Sequence, residues 1–194
     1  MLKLFDRKKI PEEKLVDEIR SGSQRAMKQL YDSCSGYLLA VCTRYIPDRE
    51  IAEDILQDSF VKIFASMDKF RSKGTGSLMA WMRRITVNEA LMYLRRQKKF
   101  SFLELADNIP DIPDEEPQTG NIPPEVIQKM IQELSDGYRT VFNLVVFEGK
   151  SHREIAQMLG ITESTSASQF HRARKILAGK IMEYNRQNES GLDR

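Results

Sequence analysis

Residues 107–124, DNIPDIPDEEPQTGNIPP, hold five prolines and a glycine. Proline fixes φ and removes a backbone donor, so no helix can run through this stretch. The stretch is also acidic and poor in large apolar residues, so it cannot bury a core of its own. A chain interrupted this way is expected to fold as two units. Those expected are an N-terminal domain at residues 1–100, an acidic linker at 101–124, a C-terminal domain at 125–186 and a tail at 187–194.

Both units read as helical, and the fold class expected is all-α. Val, Ile and Thr do not gather into alternating runs, which argues against strands. In the N-terminal unit Pro11 opens a helix that ends near Ser21 and Gly22, and a second begins after Ser23. Gly36 is expected to break this second helix before a third at 37–46, which Pro47 ends. A fourth spans 49–67 with Ile51, Ile55, Phe60, Ile63 and Phe64 on or near its core stripe. FRSKGTGS (70–77) reads as a loop, followed by a fifth helix at 78–98. The C-terminal unit adds helices at 125–134 and 138–147, and the chain frays from Tyr184 onward.

The stretch from Gly149 to Leu177 reads as two short helices joined by a tight turn. Ser151 and Glu154 stand at capping-box spacing. Ile155, Ala156 and Leu159 mark a buried face, and Gly160 can take the left-handed conformation that ends a helix. Thr162 caps a second helix that is small and polar at first and basic later. This is the helix-turn-helix pattern, whose second helix can enter the DNA major groove. A hairpin buried in a bundle would need a less polar second helix.

Lys and Arg total 30 against 28 Asp and Glu, a net charge of +2, but the charges are segregated. Residues 81–100 carry six bases and one acid, while 100–125 carry seven acids and no base. Such polarity points to separate surfaces for separate partners. No apolar run approaches the roughly 20 residues of a membrane helix. The first residues, MLKLFDRKKIPEE, lack the apolar core of a signal peptide. A reduced cytoplasmic location suits the two cysteines, Cys34 and Cys42, read as small buried side chains. His152 and His171 lack ligand-spaced partners and read as surface residues. No metal, cofactor or enzyme chemistry is expected.

Three blocks in fixed order carry a resemblance. They are EDILQDSFVKIF (53–64) with DKF (68–70), then GSLMAWMRRITVNEALMYLRR (76–96), then the helix-turn-helix ending in HRARKIL (171–177). With the charged linker between them, the chain resembles the extracytoplasmic-function group of bacterial sigma-70 factors, from about Leu15 to Leu177. The resemblance implies an initiation factor that binds core RNA polymerase and promoter DNA. It also implies an anti-sigma factor as inhibitory partner, and a linker lying in the polymerase channel that later holds RNA.

The resemblance also assigns surfaces. Asp54, Gln57, Asp58 and Lys62 would dock on the clamp helices of the largest catalytic subunit, where carboxylates can pair with arginines. Helix-dipole preference alone accounts for Glu50 and Glu53, less well for Asp58. The loop would hold a flipped base of the −10 element, and Asn88 would help read it. Phe70, Trp81 and Tyr93 offer faces for stacking, while Arg71, Lys73, Arg83, Arg84 and Arg95 can hold phosphates. A lone tryptophan on a helix is also an ordinary core residue. At −35, the recognition helix offers Ser164, Thr165, Ser166, Ser168 and Gln169 to bases. His171, Arg172, Arg174 and Lys175 would contact the backbone. Many members carry valine, lysine and arginine where this chain has Ser166, Ala167 and Gln169. The alternative is a stand-alone helix-turn-helix regulator that never touches polymerase.

Overall fold

A computed structural model describes residues 12–97 and 122–189. The chain divides into two compact units, Met1–Tyr93 and Leu94–Arg194. Every regular element among the described residues is helical. The residues assigned to the linker lie almost wholly outside the described part.

The first unit begins with α1 (Glu12–Arg20), α2 (Gln24–Tyr45) and α3 (Arg49–Ala65). A short 3-10 helix (Met67–Lys69) and α4 (Ser77–Arg96) follow, the last residues of α4 running past the division at Tyr93. The punctuation is local. Gly22 turns left-handed at φ 86° after α1, Ser23 caps α2 by accepting from the Ala26 N–H at 3.3 Å, and Asp48 caps α3 by accepting from Glu50 and Ile51. Gly36 does not break the chain, contrary to expectation: α2 runs through it without interruption. A mid-helix glycine costs about 1 kcal/mol. The buried row of Leu30, Cys34, Leu38, Val41 and Tyr45 crosses it, and each large apolar side chain so buried returns about 1.5–3 kcal/mol. Burial wins. The facing row of α3 supplies Ala52, Ile55, Leu56, Phe60 and Ile63. Cys34 and Cys42 are both buried and unbridged, and burial pushes the Cys42 thiol up to about 12, so it stays protonated.

The second unit holds α5 (Pro124–Gln132), α6 (Asp136–Val146), α7 (His152–Leu159) and α8 (Glu163–Glu189). Its core gathers Met130, Ile131, Leu134, Tyr138, Ala173, Leu177 and Ile181. Ile122 joins that core, so the packed unit starts inside the stretch that composition assigns to the linker. Arg139 is buried at the α5–α6 turn. Its guanidinium donates to the carbonyls of Gln132 at 3.0 Å and Leu134 at 2.5 Å, and pairs with Asp136. The Gln132 carbonyl is an orphan of the α5 C-terminus, so the arginine acts as its cap, and the Leu134 carbonyl lies in the turn that follows. Burial pulls the Arg139 pKa down, and Asp136 opposes that. The helix expected to fray from Tyr184 continues to Glu189. Tyr184 packs half-buried against the core, and that contact carries the helix onward.

Candidate nucleic-acid interface

The helix-turn-helix is built from its own caps. Ser151 Oγ accepts from the Glu154 N–H at 3.3 Å, and Glu154 Oε2 accepts from the Ser151 N–H at 2.9 Å. Lys150 Nζ donates to Glu154 Oε1 at 2.8 Å. That lysine first, then the Ser151 groups, hold the Glu154 carboxyl down at about 2. Gly160 sits at φ 71°, ψ 36°, the left-handed cap expected of it. Thr162 Oγ1 accepts from the Thr165 N–H at 3.0 Å and starts α8.

The recognition segment of α8 exposes Ser164, Ala167, Ser168, His171 and Arg174. Spacings of three and four residues put these on one stripe. Thr165, Arg172 and Lys175 flank it, half-buried. Ser166 and Gln169 are not on this surface: they are 0% and 3% exposed. This corrects their assignment as base-reading residues. Ser166 shares the inward phase of Ala173 and Leu177, which belong to the core, and Gln169 lies just beside it. Ser166 Oγ meets His152 Nδ1 at 2.9 Å. The His152 ring lies 5.9 Å from that of Phe170, which stacks on Phe142 at 6.0 Å. His152 is therefore a joint between the two helices and not the surface residue expected. Gln169 Oε1 is buried with no hydrogen-bond partner among the described residues.

In the first unit, Phe70 is only 3% exposed and its ring packs on half-buried Trp81 at 5.3 Å. Buried in this contact, Phe70 is not an open platform for a base. Tyr93 and Arg83 are half-buried; Arg71, Lys73, Arg84, Asn88 and Arg95 are exposed. Arg84, Asn88 and Arg95 recur at +4 and +7 along α4, so one stripe carries all three. Gly74 and Gly76 take φ of 105° and 84°, a conformation open mainly to glycine. They give the loop its path between Phe70 and α4.

On α3, Asp54, Gln57, Asp58 and Lys62 are exposed along one face. Lys62 Nζ is bound to Glu89 Oε2 of α4 at 2.5 Å, so it also ties the two helices. The same face carries Val61, 67% exposed. An apolar side chain within a charged face suits a docking contact. Its position three residues from Asp58 was the signal for it; Ala167, between Ser164 and His171, is the corresponding omission on α8.

Two family models match the chain: "Sigma-70 region 2" over residues 30–100 and "Sigma-70, region 4" over residues 125–177. The ECF RNA polymerase sigma-E factor of Haemophilus influenzae is 28% identical over 185 residues, covering 89% of this chain and 96% of that protein. The RNA polymerase sigma-H factor of Pseudomonas aeruginosa is 27% identical over 180 residues, covering 86% and 91%. Among solved structures, CnrH in complex with the cytosolic domain of CnrY aligns at TM-score 0.46 and 24% identity, over 87% of this chain and 96% of that one.

Proposed function

The chain belongs to the extracytoplasmic-function group of the sigma-70 family and is an RNA polymerase sigma factor, and we propose that its two units divide promoter recognition between them. The C-terminal unit reads duplex DNA at −35. Ser164, Ala167, Ser168 and His171 face the bases there, and Arg172, Arg174 and Lys175 hold phosphates. The N-terminal unit holds the −10 element through the loop and the Arg84–Asn88–Arg95 stripe. Asp54, Gln57, Asp58 and Val61 dock on core polymerase.

The observation that carries the −35 reading is the recognition helix itself. It is capped at its start, anchored in the core by Ala173 and Leu177, and exposes a stripe that is small and polar at Ser164, Ala167 and Ser168 and ends at the basic Arg174. A stripe without charge at its centre contributes little to non-specific phosphate attraction and leaves selection to base edges and methyl groups. A stand-alone regulator would have no use for a sigma-70 region 2.

Family resemblance supports three further parts of the reading. The protein works in the cytoplasm, its acidic linker follows the RNA channel of polymerase, and an anti-sigma factor holds it inactive by covering both DNA-binding units. Among the described residues no helix is long and apolar enough to cross a membrane.

A photo-crosslinker placed at position 168, and separately at position 88, tests the division in the assembled holoenzyme. Position 168 is expected to label upstream duplex, and position 88 a strand near the start site. Labelling of one shared segment from both positions overturns the division.

A further inference from the structure

We infer that α1 is a working part of the −10 surface, because its first and last residues, Glu12 and Arg20, fix the two ends of the 71–76 loop and so position it for single-stranded DNA. The inference rests on the assignment of that loop to −10 DNA proposed above. α1 lies ahead of the region 2 match, which begins at residue 30. None of the aromatic or basic residues assigned to DNA comes from it.

At the far end of the loop, α4 starts with Ser77 behind Gly76, which has no side chain to cap it. The cap comes from Glu12, 64 residues earlier in the chain. Glu12 Oε2 accepts from the Gly76 N–H at 3.0 Å, and Oε1 accepts from the Leu78 N–H at 2.7 Å and the Ser77 hydroxyl at 3.3 Å. A carboxylate satisfies orphan donors at a helix start and suits the positive end of the dipole. At the near end, Arg20 Nη2 donates to the Phe70 carbonyl at 2.8 Å and the Met67 carbonyl at 3.4 Å. Asp17 Oδ1 accepts from Arg20 Nη1 at 3.2 Å and steadies it. A cleft of about 240 Å³, lined by Glu13, Val16, Asp17, Arg20, Phe70 and Ser72, separates α1 from the near part of the loop.

Between the two anchors few contacts among the described residues hold the chain: the Arg71 guanidinium donates to the Asp68 and Phe70 carbonyls, and the Gly74 carbonyl accepts from the Ser77 N–H at 3.1 Å. Residues 71–75 are exposed. Their backbone N–H groups find Ser77 Oγ at 3.1 Å and Ser72 Oγ at 3.4 Å. Gly74 and Gly76 add the widest backbone freedom any residue has. Ordering such a segment carries a conformational-entropy cost at every residue. Held at both ends before DNA arrives, the loop meets much of that cost in the folding of the unit, which leaves more of the contact energy to binding. Glu12 and Arg20 are thus positioning residues that need touch no nucleotide.

The test uses the full chain assembled with core polymerase, in Glu12→Ala, Arg20→Ala and the milder Glu12→Gln and Arg20→Lys forms. Three quantities are read: affinity for a single-stranded −10 oligonucleotide, affinity for −35 duplex, and amide hydrogen exchange at Gly76 and Leu78. Each alanine variant is expected to lose about tenfold in −10 strand affinity, the scale of one charge-assisted hydrogen bond. Affinity for −35 duplex should be unchanged. Glu12→Gln keeps one acceptor oxygen and should lose less. The Gly76 and Leu78 amides should exchange faster in Glu12→Ala. Unchanged strand affinity in both alanine variants overturns the inference, as does an equal loss of −35 affinity, which would mark a general structural role. A wild-type holoenzyme that does not prefer the −10 strand overturns the loop assignment as well, whatever the amides report.

Discussion

Ser166 and His152 turn the joint of the helix-turn-helix into a polar contact. A hydrogen bond of this kind nets about 1 kcal/mol once the water it displaces is counted. A double-mutant cycle of Ser166→Ala and His152→Ala, read by thermal unfolding, is therefore expected to show a coupling near that value; additive losses would mean that the 2.9 Å contact does not hold in solution. Glu154 gives a second expectation at this scale. Its folded pKa lies near 2, below the ordinary 4.5. A carboxyl depressed in the folded state stabilises above its unfolded pKa, and that stabilisation fades as pH falls through the folded value. The Glu154 contribution should thus be present above about pH 4.5 and lost as the pH falls through about 2. Following the side-chain carboxyl by NMR titration checks this directly, and a midpoint near 4.5 would contradict it. Glu154→Gln should remove this part of the acid sensitivity.

Two glycines separate what is legible in the sequence from what is not. At Gly160 the residue type, the preceding apolar face and the Thr162 cap all agreed, and the left-handed cap is there. At Gly36 residue type alone suggested a break, while the spacing of Leu30, Cys34, Leu38 and Val41 already argued for one long helix. Leaving aside its chain neighbours and, at Gly36, the helix's own backbone, neither glycine has an atom among the described residues within 4 Å of where a Cβ would sit, so backbone conformation decides the outcome. Gly36→Ala should stabilise the first unit by about 0.5–1 kcal/mol. Gly160→Ala should cost the second about 1–2 kcal/mol, because alanine is strained at positive φ. Thermal unfolding of the two variants should move in opposite directions. The inward turn of Ser166 was legible too, from its phase with Ala173 and Leu177. Matching it to the family's recognition positions hid that phase. The Glu12 cap on α4 and the Lys62–Glu89 pair were not legible. Each joins residues far apart in sequence, and no local pattern records such pairings.

Across the whole chain, a net charge of +2 conceals basic, acidic and neutral surfaces on separate stretches. On the proposed division, two units on one tether make the second DNA contact intramolecular once the first has formed, which can raise avidity by about 10²–10⁴ over either contact alone. Neither unit then needs to bind tightly, in keeping with the uncharged centre of the recognition stripe. The prolines point to two units divided at 101–124, whereas the two compact units divide between Tyr93 and Leu94, and Ile122, which looks like linker, packs as core. The central claim is that one chain grips two separated promoter elements while bound to polymerase. Run-off transcription by core polymerase and this chain, from templates randomised across the whole upstream region, tests it most directly. The transcribed templates should carry two short motifs at a fixed separation. A single contiguous motif, or transcripts drawn evenly from all templates, would contradict it.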